Sequence, residues 1–168
     1  MKNKKIFLEV YNSNWVNIYR EEAERLIKTI PLRFQVRIEH IGSTALLGCY
    51  SRHPVDILVG VKKEEDVLSL KDFLVTKKYT VWAPYSTFNH VVLLRRKNRR
   101  VTHEIHIVKY GSPEWNRYIA FRDLLNKNTK LIKEYTEFKV NLAKHNLETY
   151  SAYFIRREKF KDEILGIK

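Results

Sequence analysis

Ile38-Glu39-His40-Ile41-Gly42-Ser43-Thr44, followed by Val55-Asp56-Ile57-Leu58-Val59, is the stretch that decides the fold. An apolar strand runs into a Gly-Ser turn. A short helix-like segment over Ser43 to Leu47 follows, and a second apolar strand then carries a carboxylate. Glycine has no Cβ, so backbone amides at such a turn approach phosphates closely. The segment after it begins like a helix, whose first amides and dipole favour anions. The Ser43 hydroxyl adds a hydrogen bond, and an acid on the neighbouring strand holds Mg²⁺ against the same phosphates. Those parts together position an α-phosphate for attack and neutralise developing charge.

Outward from this centre, apolar spacing predicts the other elements. Trp15, Ile18, Ala23, Leu26 and Ile30 recur at helical intervals over Asn12 to Ile30, with Asn12, Ser13 or Asn14 as cap and Pro31 as stop. Phe34 to Ile41 reads as a strand. Val55 to Val61 is a nearly continuous apolar run, the pattern of a strand covered on both faces. A helix over Lys63 to Lys77 precedes strands at Tyr79 to Trp82, Phe88 to Arg95 and Val101 to Lys109. The last two pair as a hairpin across Arg96 to Arg100. From Gly111 the chain turns helical: Ser112-Pro113-Glu114 supplies a capping hydroxyl, a first-turn proline and an acid at the positive helix end. The expected architecture is α/β (α+β), a mixed sheet with flanking helices and a helical C-terminal part. We read 1–168 as one domain, with the α/β core over 1–110 and the helical part over 111–168.

Lys and Arg number 32 against 19 Asp and Glu, a net charge of +13 that draws polyanions such as nucleotides and RNA. Lysine-rich coding in an A/T-rich genome gives the same balance. The basic run Arg95-Arg96-Lys97-Asn98-Arg99-Arg100 falls at the expected hairpin tip. No run approaches the roughly 18 apolar residues of a spanning helix, so no membrane partner is expected. Ile6-Phe7-Leu8 is too short for a signal-peptide core. Cys49 is the single cysteine, which excludes an internal disulfide and fits a reducing compartment. The chain reads as soluble and cytoplasmic.

Three stretches carry a family resemblance. Glu39-His40-Ile41-Gly42-Ser43-Thr44-Ala45 with Gly48, Arg52 and Asp56-Ile57-Leu58-Val59 resembles the signature of the GrpB family (UPF0157). His103-Glu104-Ile105-His106-Ile107-Val108 is similar to its H-x-L-H-V-V strand. Gly111-Ser112-Pro113-Glu114-Trp115 with Phe121-Arg122-Asp123-Leu124-Leu125 is similar to its GSxEW and FRD helix. The resemblance runs from Trp15 to about Phe160. It implies a nucleotidyltransferase-like fold, that of DNA polymerase beta, and transfer of a nucleotidyl group from an NTP to an unknown acceptor with Mg²⁺ or Mn²⁺. Some relatives are fused to a dephospho-CoA kinase domain, which also points to nucleotide chemistry.

The superfamily metal motif is Asp-x-Asp or Asp-x-Glu, and here its second position is Leu58. Leu47, Arg52 and His53 also depart from the family pattern, Arg52 keeping the positive charge. By alternation Glu104, His106 and Val108 share one strand face, while His103, Ile105 and Ile107 share the other. Asp56, Glu104 and His106 are therefore the metal candidates, a mixed O/N set suited to Mn²⁺ or Zn²⁺. Asp56 and Glu104 are the catalytic candidates. Gly42, Ser43, Thr44, Arg52, His40 and Arg122 are the substrate-binding candidates. Against these stand plainer readings: Asp56 in an ion pair with Arg52 or Arg37, His40 as a core histidine, and Arg122-Asp123 as an intrahelical or interelement pair. His53, His90 and His145 give no pattern. The alternative function is a domain that binds a nucleotide, coenzyme or RNA without turnover, and Leu58 is its support.

Overall fold

The computed structural model describes residues 6–144 and 150–167. Helix α1 (Asn14–Thr29) buries Trp15, Ala23 and Leu26 on one face. Its cap is Asn12, whose Oδ1 accepts from the Asn14 amide at 2.9 Å, while Ser13 makes no side-chain cap. Ile30 is already extended, as a residue before proline should be. The strand expected from Phe34 begins only at Arg37. A single 3₁₀ turn (Leu32–Phe34) follows Pro31, and Gln35 then takes φ 45° and redirects the chain. Phe34 plugs the core against Phe73 instead of lying on a strand.

Five strands follow: β1 (Arg37–Ile41), β2 (Val55–Val61), β3 (Thr80–Val81), β4 (His90–Lys97) and β5 (Arg100–Lys109). Their order is β1-β2-β5-β4-β3. β2 and β5 are parallel, and the other pairs are antiparallel. A parallel pair needs a crossover. Here it contains α2 (Asp66–Thr76), β3 and β4. The β4–β5 hairpin closes more tightly than expected: Lys97 pairs with Arg100, and the two-residue loop Asn98-Arg99 has φ 50° and 64°. Positive φ at both loop residues matches the right-handed twist of the strands. The basic run therefore lies partly in paired strand.

Three further helices follow among the described residues: α3 (Pro113–Asn126), α4 (Thr129–Lys144) and α5 (Tyr150–Leu165). Ser112 caps α3 as expected, its hydroxyl accepting from the Trp115 amide at 3.2 Å. The result is a mixed α/β architecture with a five-stranded mixed sheet. One sheet face, including Val55, Ile57, Ile105 and Ile107, packs with α1 and α2. The other places Ile41, Leu58 and Val108 against Trp115 of α3. Gly60 makes that approach possible, since a Cβ there would lie 2.5 Å from Trp115 Cζ3. A second cluster, including Leu46, Phe121, Leu125 and Tyr135, joins α3 and α4 to the loop after β1. No helix among the described residues is long and apolar enough to cross a membrane.

Candidate metal and phosphate site

Parallel pairing of β2 with β5 sets Asp56 beside Glu104 and Leu58 beside His106. All four side chains point to the α3 face, opposite the main core. Asp56, Glu104 and His106 each offer a ligand atom, and these atoms lie within 4.8 Å of one another. His106 Nε2 is 3.7 Å from Asp56 Oδ1, and Arg52 Nη2 is 3.8 Å from Glu104 Oε1. Arg52 thus pairs with Glu104, and Arg37 lies over the Tyr110 ring.

The electrostatics of the two acids diverge. Burial works to raise the Asp56 pKa, but the hydrogen bond and charge of His106, with Arg157 and Lys161 of α5, outweigh it and hold the carboxyl below its ordinary range. Burial and then repulsion from Asp56 push Glu104 well above the usual carboxyl range, against the pull of Arg52. Two carboxyls so close resist double ionisation, and a cation between them removes that resistance.

His106 is oriented from behind. Its Nδ1 lies 3.1 Å from His90 Nε2 and 3.4 Å from the Tyr118 hydroxyl. Burial, then the charge of His106, lowers the His90 pKa to about 3, so His90 is neutral. In the tautomer that donates Nδ1–H to His90, Nε2 would be left as a lone-pair donor for a metal ion; in the other it donates to Asp56. A metal-binding imidazole is held in the first way by a partner on its other nitrogen.

Gly42 closes the site from the β1 side. Its φ is 71° and ψ −172°, and a Cβ there would sit 2.0 Å from Asp56 Oδ2. Only glycine lets the turn lie on the carboxylate. The helix-like segment expected after it is a single 3₁₀ turn, Ser43–Ala45, because Leu46 is extended and anchored in the core. So short a turn has no helix dipole to speak of, and any phosphate affinity comes from local amides. The Ser43 and Ser51 hydroxyls bond to each other at 2.7 Å, and buried Thr44 bonds His40 Nε2 at 3.0 Å.

The structure does not bring every candidate to the cluster. His40 points to the α1 side, stacked on Tyr19 at 4.6 Å, and burial lowers its pKa to about 4. Arg122 Nη1 donates to Glu39 at 2.7 Å and to the His40 carbonyl at 3.1 Å, and Nε donates to Asp123 at 2.8 Å. It clasps α3 to β1. His103 faces α1 and sits 3.3 Å from the Ile18 carbonyl. Leu58, two residues after Asp56, is fully buried.

Sequence reasoning missed His90 and Tyr118. Hairpin register would have found His90, which pairs with Val108 and so shares the face of Glu104 and His106. His145 lies outside the described residues.

Comparison with known proteins agrees with the resemblance. The family model described as GrpB protein matches residues 5–166. The chain is 32% identical to "Glutamate-rich protein GrpB" of Alkalihalophilus pseudofirmus, covering 96% of this chain and 94% of that one. It is 28% identical to the UPF0157 protein YqkA of Bacillus subtilis over 89% of this chain but 43% of that protein. The crystal structure of conserved protein GrpB from Enterococcus faecalis superposes with a TM-score of 0.79 at 26% identity, covering 95% of this chain and 98% of that one. The chain belongs to the GrpB family.

Proposed function

We propose that this GrpB-family chain is a nucleotidyltransferase-like protein that binds a divalent metal ion and the phosphates of a nucleotide, and transfers a nucleotidyl group to an acceptor. The observation that carries this reading is the donor set: two carboxylates and an oriented imidazole within 4.8 Å, under a turn where a Cβ would strike Asp56. The donors fit Mn²⁺ or Mg²⁺, with the imidazole favouring Mn²⁺. Asp56, Glu104 and His106 would hold the ion, which when bound supplies Lewis-acid stabilisation of phosphoryl charge. Amides of the turn at Gly42 and Ser43 would bind the phosphates, and Arg52 would add positive charge beside Glu104. An acceptor hydroxyl would attack the α-phosphorus, the bond to pyrophosphate would break, and the hydroxyl proton would pass to solvent.

The test is Mn²⁺ binding by loss of the free-ion paramagnetic resonance signal, followed by pyrophosphate release from NTPs. Wild type binds and Asp56→Asn does not. Equal binding by both would sink the proposal. One observation favours a second reading, binding without turnover: Leu58, fully buried against Ile41, Val108 and Trp115, removes the second acid of the motif. Metal-dependent nucleotide binding with no pyrophosphate release across acceptors would select it.

A further inference from the structure

Beside the donor cluster, on its β4 side, lies a cavity of about 360 Å³. Glu104 and His106 form part of its wall, so it opens onto the donors from the side opposite Gly42. The rest of the wall includes the rings of Trp82, Tyr85, Tyr118 and Phe154. Trp82 and Tyr85, on the segment between β3 and β4, lie with ring centroids 4.4 Å apart, and Tyr85 lies 4.2 Å from Phe154 of α5. All three are half-exposed. His90 and Tyr118 extend this surface to His106.

The charges in the lining are already matched. Arg117 binds Glu158 at 2.9 Å and Asp162 at 2.6 Å, and Lys161 binds Glu158 at 2.7 Å. His90 is neutral. The Arg157 guanidinium lies 5.2 Å from the Phe154 ring centroid, and beside it the lining offers ring surface. The cavity also far exceeds the volume of one water, whose share of liquid is about 30 Å³.

Resting on the metal-and-phosphate reading for the ligand's anionic end, we propose that this cavity is a ring subsite: it takes a planar aromatic group of the substrate, stacked on the Trp82–Tyr85–Phe154 wall. Two sources supply such a ring, the base of the bound nucleotide or the ring of a second substrate. The shared chemistry is an aromatic π-face within reach of the Glu104–His106 edge.

Tryptophan fluorescence tests this directly. Trp15 and Trp115 are buried at 0% and 6% exposure, so Trp82 is the tryptophan that reports on the cavity. The full chain is titrated, with Mn²⁺ present, with ATP, adenosine, nicotinamide and inorganic tripolyphosphate, and calorimetry is run in parallel. At least one ring-bearing probe should quench Trp82, and tripolyphosphate should not. Trp82→Phe should abolish the quench. Phe154→Ala should weaken ring binding by between about fivefold and a hundredfold, the range for one lost base–aromatic stack. Quenching by ATP and adenosine places the base in the cavity. Quenching by nicotinamide that saturating ATP leaves intact places a second substrate's ring there. If no ring-bearing probe binds while Mn²⁺ still binds in an Asp56-dependent way, the ring subsite is wrong and the metal reading stands. If rings bind and Mn²⁺ does not, the reverse holds.

Discussion

Replacing Gly42 by alanine isolates the contact on which the candidate site depends. Two costs are separable. The backbone at φ 71°, ψ −172° lies in a region open essentially to glycine, worth on the order of 1–3 kcal/mol for an L-residue. The added Cβ would lie 2.0 Å from Asp56 Oδ2, where ordinary contact begins near 3.4 Å. The turn or the carboxylate must then move by about 1.4 Å, several times the roughly 0.2 Å tolerance of a metal–ligand distance. Gly48 is the internal control, with φ 84° but nothing within 4 Å of an added Cβ. Gly48→Ala therefore carries backbone strain alone. Both variants should melt lower, by about 2–12 °C at roughly 2–4 °C per kcal/mol. Only Gly42→Ala should lose metal binding. At a Mn²⁺ concentration of about 100 Kd, wild type and Gly48→Ala gain on the order of 2.7 kcal/mol and melt correspondingly higher. Gly42→Ala should show at least a tenfold weaker Mn²⁺ affinity, which cuts that gain to about 1.4 kcal/mol or less. Circular dichroism melts with and without Mn²⁺ read both terms. An unchanged Mn²⁺-induced rise in Gly42→Ala would refute the claim that the glycine exists to admit Asp56.

Three further outcomes are expected. Leu58→Asp buries a carboxylate among Ile41, Val108 and Trp115, so it should destabilise the metal-free protein by on the order of 3–5 kcal/mol; Mn²⁺ should restore a large part in a thermal melt, and no restoration would mean the position does not face the ion. Arg122→Ala should cost about 1–3 kcal/mol in urea denaturation through the lost Glu39 and Asp123 bonds. It should leave Mn²⁺ and nucleotide affinities unchanged, whereas a phosphate contact would weaken the latter. Lys139 is 1% exposed beside Cys49, and burial lowers its pKa to about 8 despite the opposing pull of Cys49. The unfolded chain then binds the extra proton between about pH 8 and 10.5, so this group makes stability rise with pH across that window. The rise should be missing from Lys139→Met when the two denaturation profiles are subtracted, and parallel profiles would show that Lys139 titrates normally.

The legible parts of the fold are those whose cause is local. β2 is readable because both its faces are covered, which leaves an apolar run interrupted by Asp56. α3 is readable because Ser112-Pro113-Glu114 satisfies the first-turn amides by itself. The false start of β1 has an equally local origin. Phe34, Val36 and Ile38 alternate as a strand should, but the left-handed Gln35 lies between them, and alternation carries no information about φ. The cavity was not legible at all. Tyr85 meets Phe154 through packing of elements far apart in the chain, and the half-exposed aromatics of α5 follow no helical stripe that singles them out.

The donor cluster falls between these cases. Two-residue alternation places Glu104 and His106 on one face of β5, and it says the same of Asp56 and Leu58 on β2. It does not say which residues are neighbours, because the register of a parallel pair is set by tertiary packing. That register is what changes the meaning of Leu58. Its partner across the ladder is His106, and the partner of Asp56 is Glu104. The position without an acid and the position with an imidazole are thus adjacent points on one surface. Leu58 instead packs with Trp115, at the spot Gly60 opens, while His106 reaches to within 3.7 Å of Asp56 and is held from behind by His90 and Tyr118. On β2 the position went to the core; one strand over, a donor stands in its place. A carboxylate pair with an imidazole is a different ligand field from three carboxylates, softer and one negative charge lower. The metal preference of this chain should therefore lean towards Mn²⁺ over Mg²⁺.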